Sequence, residues 1–500
     1  MTRVLMIALT LGSLACASAG GRSVPANGRQ HLRAFIDSSL ADPRFRAAHW
    51  GVVIVDPERA ETLYSRNAGK LFMPASNQKL LTGAVALDVL GPSYRYATHF
   101  ASGGVIADSV MQGDLIIRGN GDPSISDAMR RDAMLPLREM AESLYARGIR
   151  RIAGRLTSAG DVFPGPSYGF GWSWDDLDFP YSAGVDELMF NEGFARIRVR
   201  GGATPDDSVT ATVAPARTYP RVRLLARTLA PGDSTTRSGR GIRVQHDTTA
   251  LGTILVDGAI IAGDSTERRI AFRDQRHAFL GALREALGDR GIAVDSSEPG
   301  WIASSANGAR EPTGLALFSW RSDSLGAILP AFEKPSQNQI GEILLRTIGL
   351  TAGKIGSPEE GARIVTDALV AWGAQRDGFR VRDGSGLSRH NVVSPETILR
   401  VLDAMRRSPH FAVFRDALPI AGVDGTLSNR MRNTAAANNL RAKTGTLDMV
   451  RSLSGYVTTA DGRLLMFSIM CNHWMTEVRD VDRVADAIGV RLAELRLSGR

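Results

Sequence analysis

The sequence predicts an α/β (α+β) chain in which two helix-and-strand regions enclose a long strand-rich insertion. Three observations carry this reading. Apolar residues recur at helical spacing over 29–40 and 74–90, and again beyond 325. Between about 95 and 315, short strand-like runs alternate with Gly, Asp, Ser and Pro turns. The chain then closes on two apolar runs, 449–457 and 463–472, joined at Asp461-Gly462 in the pattern of a β-hairpin. With 500 residues the chain exceeds a single core and calls for several domains. Its 43% hydrophobic and 22% charged residues exclude bulk disorder and coiled coil.

The first 19 residues read as a signal peptide: Arg3, an apolar run over 4–14, and Ala17-Ser18-Ala19 as the cleavage site. That run is too short to span a bilayer, and no later apolar run approaches the length of a spanning helix. The expected location is therefore periplasmic or otherwise extracytoplasmic, with no transmembrane helix in the mature chain. Cys16 sits near where a bacterial lipoprotein signal places its acylated cysteine, so a lipid anchor there is the alternative; Ser13, however, stands where that signal usually has Leu.

A helix over 29–40 stops at Asp42-Pro43, and strands follow at 50–55 and 61–64 across an Asp56-Pro57 turn. Pro74 suits the first turn of a helix that Gly91-Pro92 ends. After Lys79 that helix has only Thr82 and Asp88 as polar residues, so it belongs inside the protein. Strands are expected at 114–118, 195–199, 209–213, 221–226 and 253–261. Helices are expected near 325–332, 337–347, 358–372, 395–408 and 478–495. The resulting organisation is one discontinuous domain from 28–95 and 315–500, with an inserted β-rich domain or domains over 96–314 and a nested unit at about 195–270.

The net charge of +8 is spread along the chain, with no Lys/Arg run interleaved with aromatics, so nucleic acid is not an expected partner. Attraction to an anionic polymer outside the membrane is compatible with it. Removing the leader leaves Cys471 as the only cysteine, which forbids an intramolecular disulfide; within 464–471 it reads as a small apolar core residue.

Three short motifs carry chemistry. Ser76-x-x-Lys79 at a helix start puts an amine on the same face as a hydroxyl. A buried lysine with a lowered pKa can take a serine proton, and the helix N-terminus offers an N–H to an oxyanion. Gly83 continues that face without a side chain. Ser336-Gln337-Asn338 precedes a helix; Ser336 suits a proton relay or an ordinary N-cap, and Asn338 suits a substrate amide. Lys443-Thr444-Gly445-Thr446 enters the closing hairpin, where a strand edge can pair with an extended peptide. Gly445 leaves room for the backbone to approach, Lys443 and the threonines suit a terminal carboxylate, and the Thr446 N–H suits a second oxyanion donor.

In this order the three motifs resemble the signature of serine penicillin-recognising enzymes. The chain is further similar to the D-alanyl-D-alanine carboxypeptidase/endopeptidase family, peptidase S13, the class C low-molecular-mass penicillin-binding proteins. The resemblance rests on 50–55, 113–115, 119–123, Trp172-Ser173-Trp174-Asp175-Asp176, 383–389 and 443–447, and runs from about residue 30 to the C-terminus. Ser336 follows Ser76 by more than half the chain, unlike the short spacing of a single-domain β-lactamase. Gly341-Glu342 departs from the Ala-Glu usual in the family, and Gln337 is a less usual middle residue.

The resemblance implies a penicillin-binding protein/serine β-lactamase-like transpeptidase domain, with an antiparallel sheet flanked by helices. It implies hydrolysis of peptidoglycan stem peptides or cross-bridges through an acyl-enzyme on Ser76, with Lys79, Ser336, Asn338 and Lys443 catalytic. Backbone amides of Ser76 and Thr446 would form the oxyanion hole, and Thr444, Gly445, Thr446 and Leu447 would bind substrate. Asp176, Tyr181 and Arg389 match positions that meet the stem-peptide side chain; a turn or cap role for Asp176, and an ion pair for Arg389, are the plainer alternatives. β-Lactams would be covalent inhibitors, and no metal or organic cofactor is implied. The rivals are a β-lactamase, for which no clear Glu-x-x-Leu-Asn segment is found, and a non-catalytic wall-binding or sensor protein.

Overall fold

Strands that bury both faces read as nearly unbroken apolar runs, and those at the two ends of this chain do. In the computed structural model they form one antiparallel sheet, in the order Glu61–Arg66, His49–Asp56, Leu464–Asn472, Val450–Thr458, Arg441–Leu447. The structure describes residues 28–497, apart from residue 161 and the segments 234–240 and 303–313; the expected signal peptide and Cys16 lie outside the described residues.

Side chains alternate across this sheet with a period of two. Val52, Ile54, Leu453, Phe467 and Ile469 face a core shared with the helices Gly28–Leu40 and Val478–Glu494. Val53, Tyr456, Met466 and Met470 face the opposite core, built on the helices Gln78–Leu90, Leu325–Glu333, Asn338–Gly353, Pro358–Ala371 and Pro395–Arg407. Gln78–Leu90 is buried from Gln78 to Leu87, as its nearly continuous apolar sequence requires. Gly462 adopts positive φ in the hairpin turn, and Cys471 is buried within the last strand. Among the described residues, no helix is long and apolar enough to cross a membrane.

The inserted stretch has its own sheet, in the order Gly300–Ile302, Leu156–Ala159, Leu115–Arg118, Arg95–Ser102, Leu315–Ser324. Its first and last long strands, Arg95–Ser102 and Leu315–Ser324, pair antiparallel where the chain leaves and re-enters the main sheet's neighbourhood. Two helices that the strand-and-turn pattern does not anticipate, Met134–Ala146 and Gln275–Arg290, pack on each other within this region's core. Both have buried residues at helical spacing (Leu137, Met140, Ala141, Leu144; Phe279, Ala282, Leu283, Ala286, Leu287), and Asp274 caps the second by accepting from the His277 N–H. The single strand expected over 253–261 is two, Thr253–Asp257 and Ala259–Ile261. The break falls at Gly258, whose φ of 95° no ladder residue with a side chain readily adopts.

Gly51 lies where the main sheet meets the segment leading to Ser76. A Cβ there would come within 2.5 Å of the Phe72 ring and 2.8 Å of Pro395. Gly51→Ala is expected to cost about 1–3 kcal/mol through overpacking, read as a lowered midpoint in urea; an unchanged midpoint would show that the Phe72 ring yields freely.

Candidate active site

The Ser76 turn is held from three sides. Residues Ala75–Asn77 form a turn of 3₁₀ helix that runs into Gln78–Leu90. The Asn77 amide donates to the Lys443 carbonyl at 2.9 Å, Ser452 Oγ donates to the Pro74 carbonyl at 2.7 Å, and Asn472 Oδ1 accepts from the Met73 N–H at 2.8 Å. Ala75 is driven to a φ of 47°, a conformation a non-glycine residue rarely holds unless its surroundings impose it. Gly386 permits this packing, because a Cβ there would stand 1.9 Å from the Ala75 carbonyl oxygen.

Lys79 lies one turn along and is completely buried. Its Nζ donates to Ser76 Oγ at 3.0 Å, to Asn338 Oδ1 at 2.6 Å and to the Ser385 carbonyl at 2.7 Å. Burial, reinforced by the neighbouring Lys443 ammonium, lowers its pKa to about 7, while the Glu333, Asp383 and Glu342 carboxyls oppose the shift. The amine can therefore lose its proton near neutrality while within reach of the serine hydroxyl.

Asn338 opens its helix with its carboxamide turned two ways, accepting from Lys79 and donating to the Tyr181 carbonyl at 2.7 Å. Gln339 donates to the Pro180 and Ala183 carbonyls at 3.1 and 2.9 Å, so the start of this helix docks the segment that carries Asp176 and Tyr181. Gln337, not Ser336, is the N-cap: its side chain accepts from the Ile340 N–H at 3.0 Å. The less usual glutamine thus has a local structural role. Ser336 is left in the left-handed region at φ 67°, half-buried, with its hydroxyl at the cleft.

Lys443 is also completely buried, its Nζ donating to the Thr444 carbonyl at 3.1 Å. Burial lowers its pKa to about 8, and Glu333 counteracts this. It lies beneath the cleft rather than on its wall, so the free protein presents Thr444 and Thr446, not the lysine, to a carboxylate. Thr444 Oγ1 donates to Thr426 Oγ1 at 2.7 Å. Gly445 lets this strand lie against the nucleophile turn: a Cβ would stand 2.5 Å from the Pro74 oxygen, 3.1 Å from the Ser76 nitrogen and 2.1 Å from Ser452 Oγ.

Ser76, Ser336, Asn338, Thr444, Thr446 and Leu447 line one cleft of about 680 Å³, together with Asp176, Tyr181 and Arg389. Asp176 accepts from the Tyr181 hydroxyl at 2.6 Å, and Arg389 donates to the Asp448 carbonyl at 3.1 Å, where a carboxylate was the plainer expectation. The loop that supplies the Ser385 carbonyl is fixed from below. Glu342 accepts from the Gly384 and Ser385 N–H groups, and Asp383 accepts from the Gly386 and Ser388 N–H groups and from Trp172. Glu342 and Asp383 belong to motifs quoted from the sequence, without a role assigned to them there. Thr426, Arg451 and Trp474 also line the cleft, and Glu333 lies buried beside the two lysines; none of the four has a motif or spacing that singles it out in the sequence.

A hydroxyl backed by a buried amine, in a cleft bounded by a strand edge, is a setting that suits a serine nucleophile, and the family match makes the protein a serine peptidase. The D-Ala-D-Ala carboxypeptidase 3 (S13) family pattern matches residues 32–495, and the chain belongs to that family. It is 34% identical to the D-alanyl-D-alanine carboxypeptidase of Actinomadura sp. (strain R39), over 93% of this chain and 84% of that protein. It is 26% identical to the D-alanyl-D-alanine carboxypeptidase DacB of Haemophilus influenzae, over 88% of each chain. The fold is similar to the crystal structure of penicillin binding protein 4 (dacB) from Haemophilus influenzae, with a TM-score of 0.77, 23% identity, and coverage of 92% of this chain and 99% of that one.

Gly445→Ala is expected to push the strand off the Ser76 turn and slow acylation by a fluorescent penicillin about 10²-fold or more, the scale of losing one oxyanion donor. Stopped-flow labelling measures it, and an unchanged rate would dissociate the close approach from function.

Proposed function

We propose that the protein is a serine-type D-Ala-D-Ala carboxypeptidase and D,D-endopeptidase of peptidoglycan, acting through an acyl-enzyme on Ser76. The observation that carries this is the Lys79 ammonium, buried and lowered to a pKa near 7, at 3.0 Å from Ser76 Oγ in an open cleft. Membership of a carboxypeptidase family supports it over the β-lactamase and wall-sensor alternatives.

Ser76 Oγ attacks the carbonyl between two D-residues as Lys79 takes its proton, and the Ser76 and Thr446 N–H groups receive the oxyanion. The proton held by Lys79 is relayed through the Ser336 hydroxyl, which gives its own proton to the departing amine and takes the lysine's in return, with Lys443 as the charged group beneath the cleft. Asn338 orients Lys79 and the substrate backbone. The released terminal carboxylate, or its cross-bridge equivalent, lies against Thr444 and Thr446. Water then hydrolyses the ester by the reverse proton path. Penicillins acylate the same serine and leave slowly.

Leu447, Arg389, Asp176 and Tyr181 form the end of the cleft that meets the stem-peptide side chain. The half-buried Asp176 carboxylate at the cleft suits the free amino end of a diamino acid such as meso-diaminopimelate. The protein works outside the cytoplasmic membrane, exported by a signal peptide over its first 19 residues; a lipid anchor on a retained Cys16 is the alternative to their removal.

Digestion of purified muropeptides by the wild type and by Ser76→Ala tests the reading. Free D-Ala release and dimer cleavage should both disappear in the variant, by at least 10³-fold. Retention of either activity would assign it to another nucleophile.

A further inference from the structure

Glu333 ends the helix Leu325–Glu333, three residues before Ser336, and is completely buried. Neither of its carboxyl oxygens has a hydrogen-bond partner. A carboxyl group in that position is costly unless something beside it answers its charge. The space it occupies is opened by Gly83, four residues after Lys79 on the same helix face; a Cβ at Gly83 would lie 2.8 Å from Glu333 Oε1. The Phe332 ring and Leu329 lie beside the same glycine.

The charged groups whose fields reach Glu333, without closing an ion pair on it, come from two other elements: Lys79 on the helix Gln78–Leu90 and Lys443 on the strand Arg441–Leu447. Lys79 also feels Asp383 and Glu342, whereas Glu333 is the one carboxyl that acts on Lys443. Its neighbour Lys334 turns away to Asp424 at 2.6 Å, and the remaining buried cation, Arg346, lies 3.7 Å from Glu342.

Two ammonium groups in one dry pocket repel each other, and that repulsion is greatest when Lys79 has just taken the serine proton. We propose that Glu333 is a buried counterion shared by the two active-site lysines, allowing Lys79 to accept the Ser76 proton while Lys443 keeps its own. It is a positioning residue for charge: it does not line the cleft and acts through the lysines alone. The inference rests on the acyl-enzyme reading above. Burial raises the Glu333 pKa to about 7, with Lys443 and Lys79 opposing, so its carboxyl titrates together with the amines it serves.

The test is the pH profile of acylation by a fluorescent penicillin in Glu333→Gln, which keeps the shape and removes the charge. Losing a negative neighbour destabilises both ammonium forms, so both lysine pKa values fall. The rising limb, set by loss of the Lys79 proton, and the falling limb, set by loss of the Lys443 proton, should therefore both move to lower pH, by about one unit. The maximal acylation rate should fall about tenfold, with the penicillin's initial binding constant unchanged. Glu333→Met, which leaves no polar atom to bury, carries the same prediction should the glutamine disturb folding.

Limbs that stay in place in either folded variant, whatever its thermal midpoint, overturn the counterion role and leave only a packing one. Wild-type protein that penicillin does not label would overturn the acyl-enzyme reading itself, and this inference with it.

Discussion

An ammonium taken out of water has to be met by oxygen atoms, and Lys79 is met by three from three distant parts of the chain. Ser76 lies in the same turn, Asn338 begins a helix on the far side of the insertion, and Ser385 lies on a loop fixed by Glu342 and Asp383. Satisfying one buried amine thus brings Ser76, the second motif and the 383–389 loop to a single point. Burial lowers the lysine's proton affinity, and once a proton is lost the Asn338 and Ser385 oxygens can hold the two remaining N–H bonds, leaving the lone pair toward the Ser76 hydroxyl. The atoms that satisfy the buried ammonium are those the proposed proton transfer would use.

The strand that bears Lys443 depends on this arrangement from the other side. Gly445 lets it lie against Pro74 and Ser76, and Asn77 holds it through the Lys443 carbonyl. Close packing here costs backbone strain at Ala75, which has positive φ. That strain is sustained because the turn is held on several sides. The inserted stretch reaches the site at several points: Trp172 donates to Asp383, Glu192 accepts from Gln337, and Asn338 and Gln339 grip the carbonyls of 180–183, beside Asp176 and Tyr181 at the cleft.

What the sequence discloses here is what is local. Ser76 and Lys79 can be paired from their spacing because a helix imposes it, and the burial of their helix follows from its apolar composition. The main-sheet strands are legible for the same reason. The helices Met134–Ala146 and Gln275–Arg290 have the right periodicity, yet they are embedded among turn-rich strands that mask it. Ser336 illustrates the limit at a single residue. Its place before a helix suggests a cap, but the cap is Gln337, and the positive φ that frees the Ser336 hydroxyl has no sequence mark. Glu333, Thr426 and the Ser385 carbonyl belong to the site only through contacts across the fold. No spacing along the chain encodes them.

The central claim is that Lys79 takes the proton of Ser76, and the most direct measurement is the rate and position of penicillin acylation in the wild type and in Lys79→Ala. Rapid quenching followed by peptide mass mapping gives both quantities. The adduct should fall on the peptide containing Ser76 and form about 10²-fold more slowly, or slower still, without the lysine. An adduct on any other residue, or equal rates in the two proteins, would contradict it.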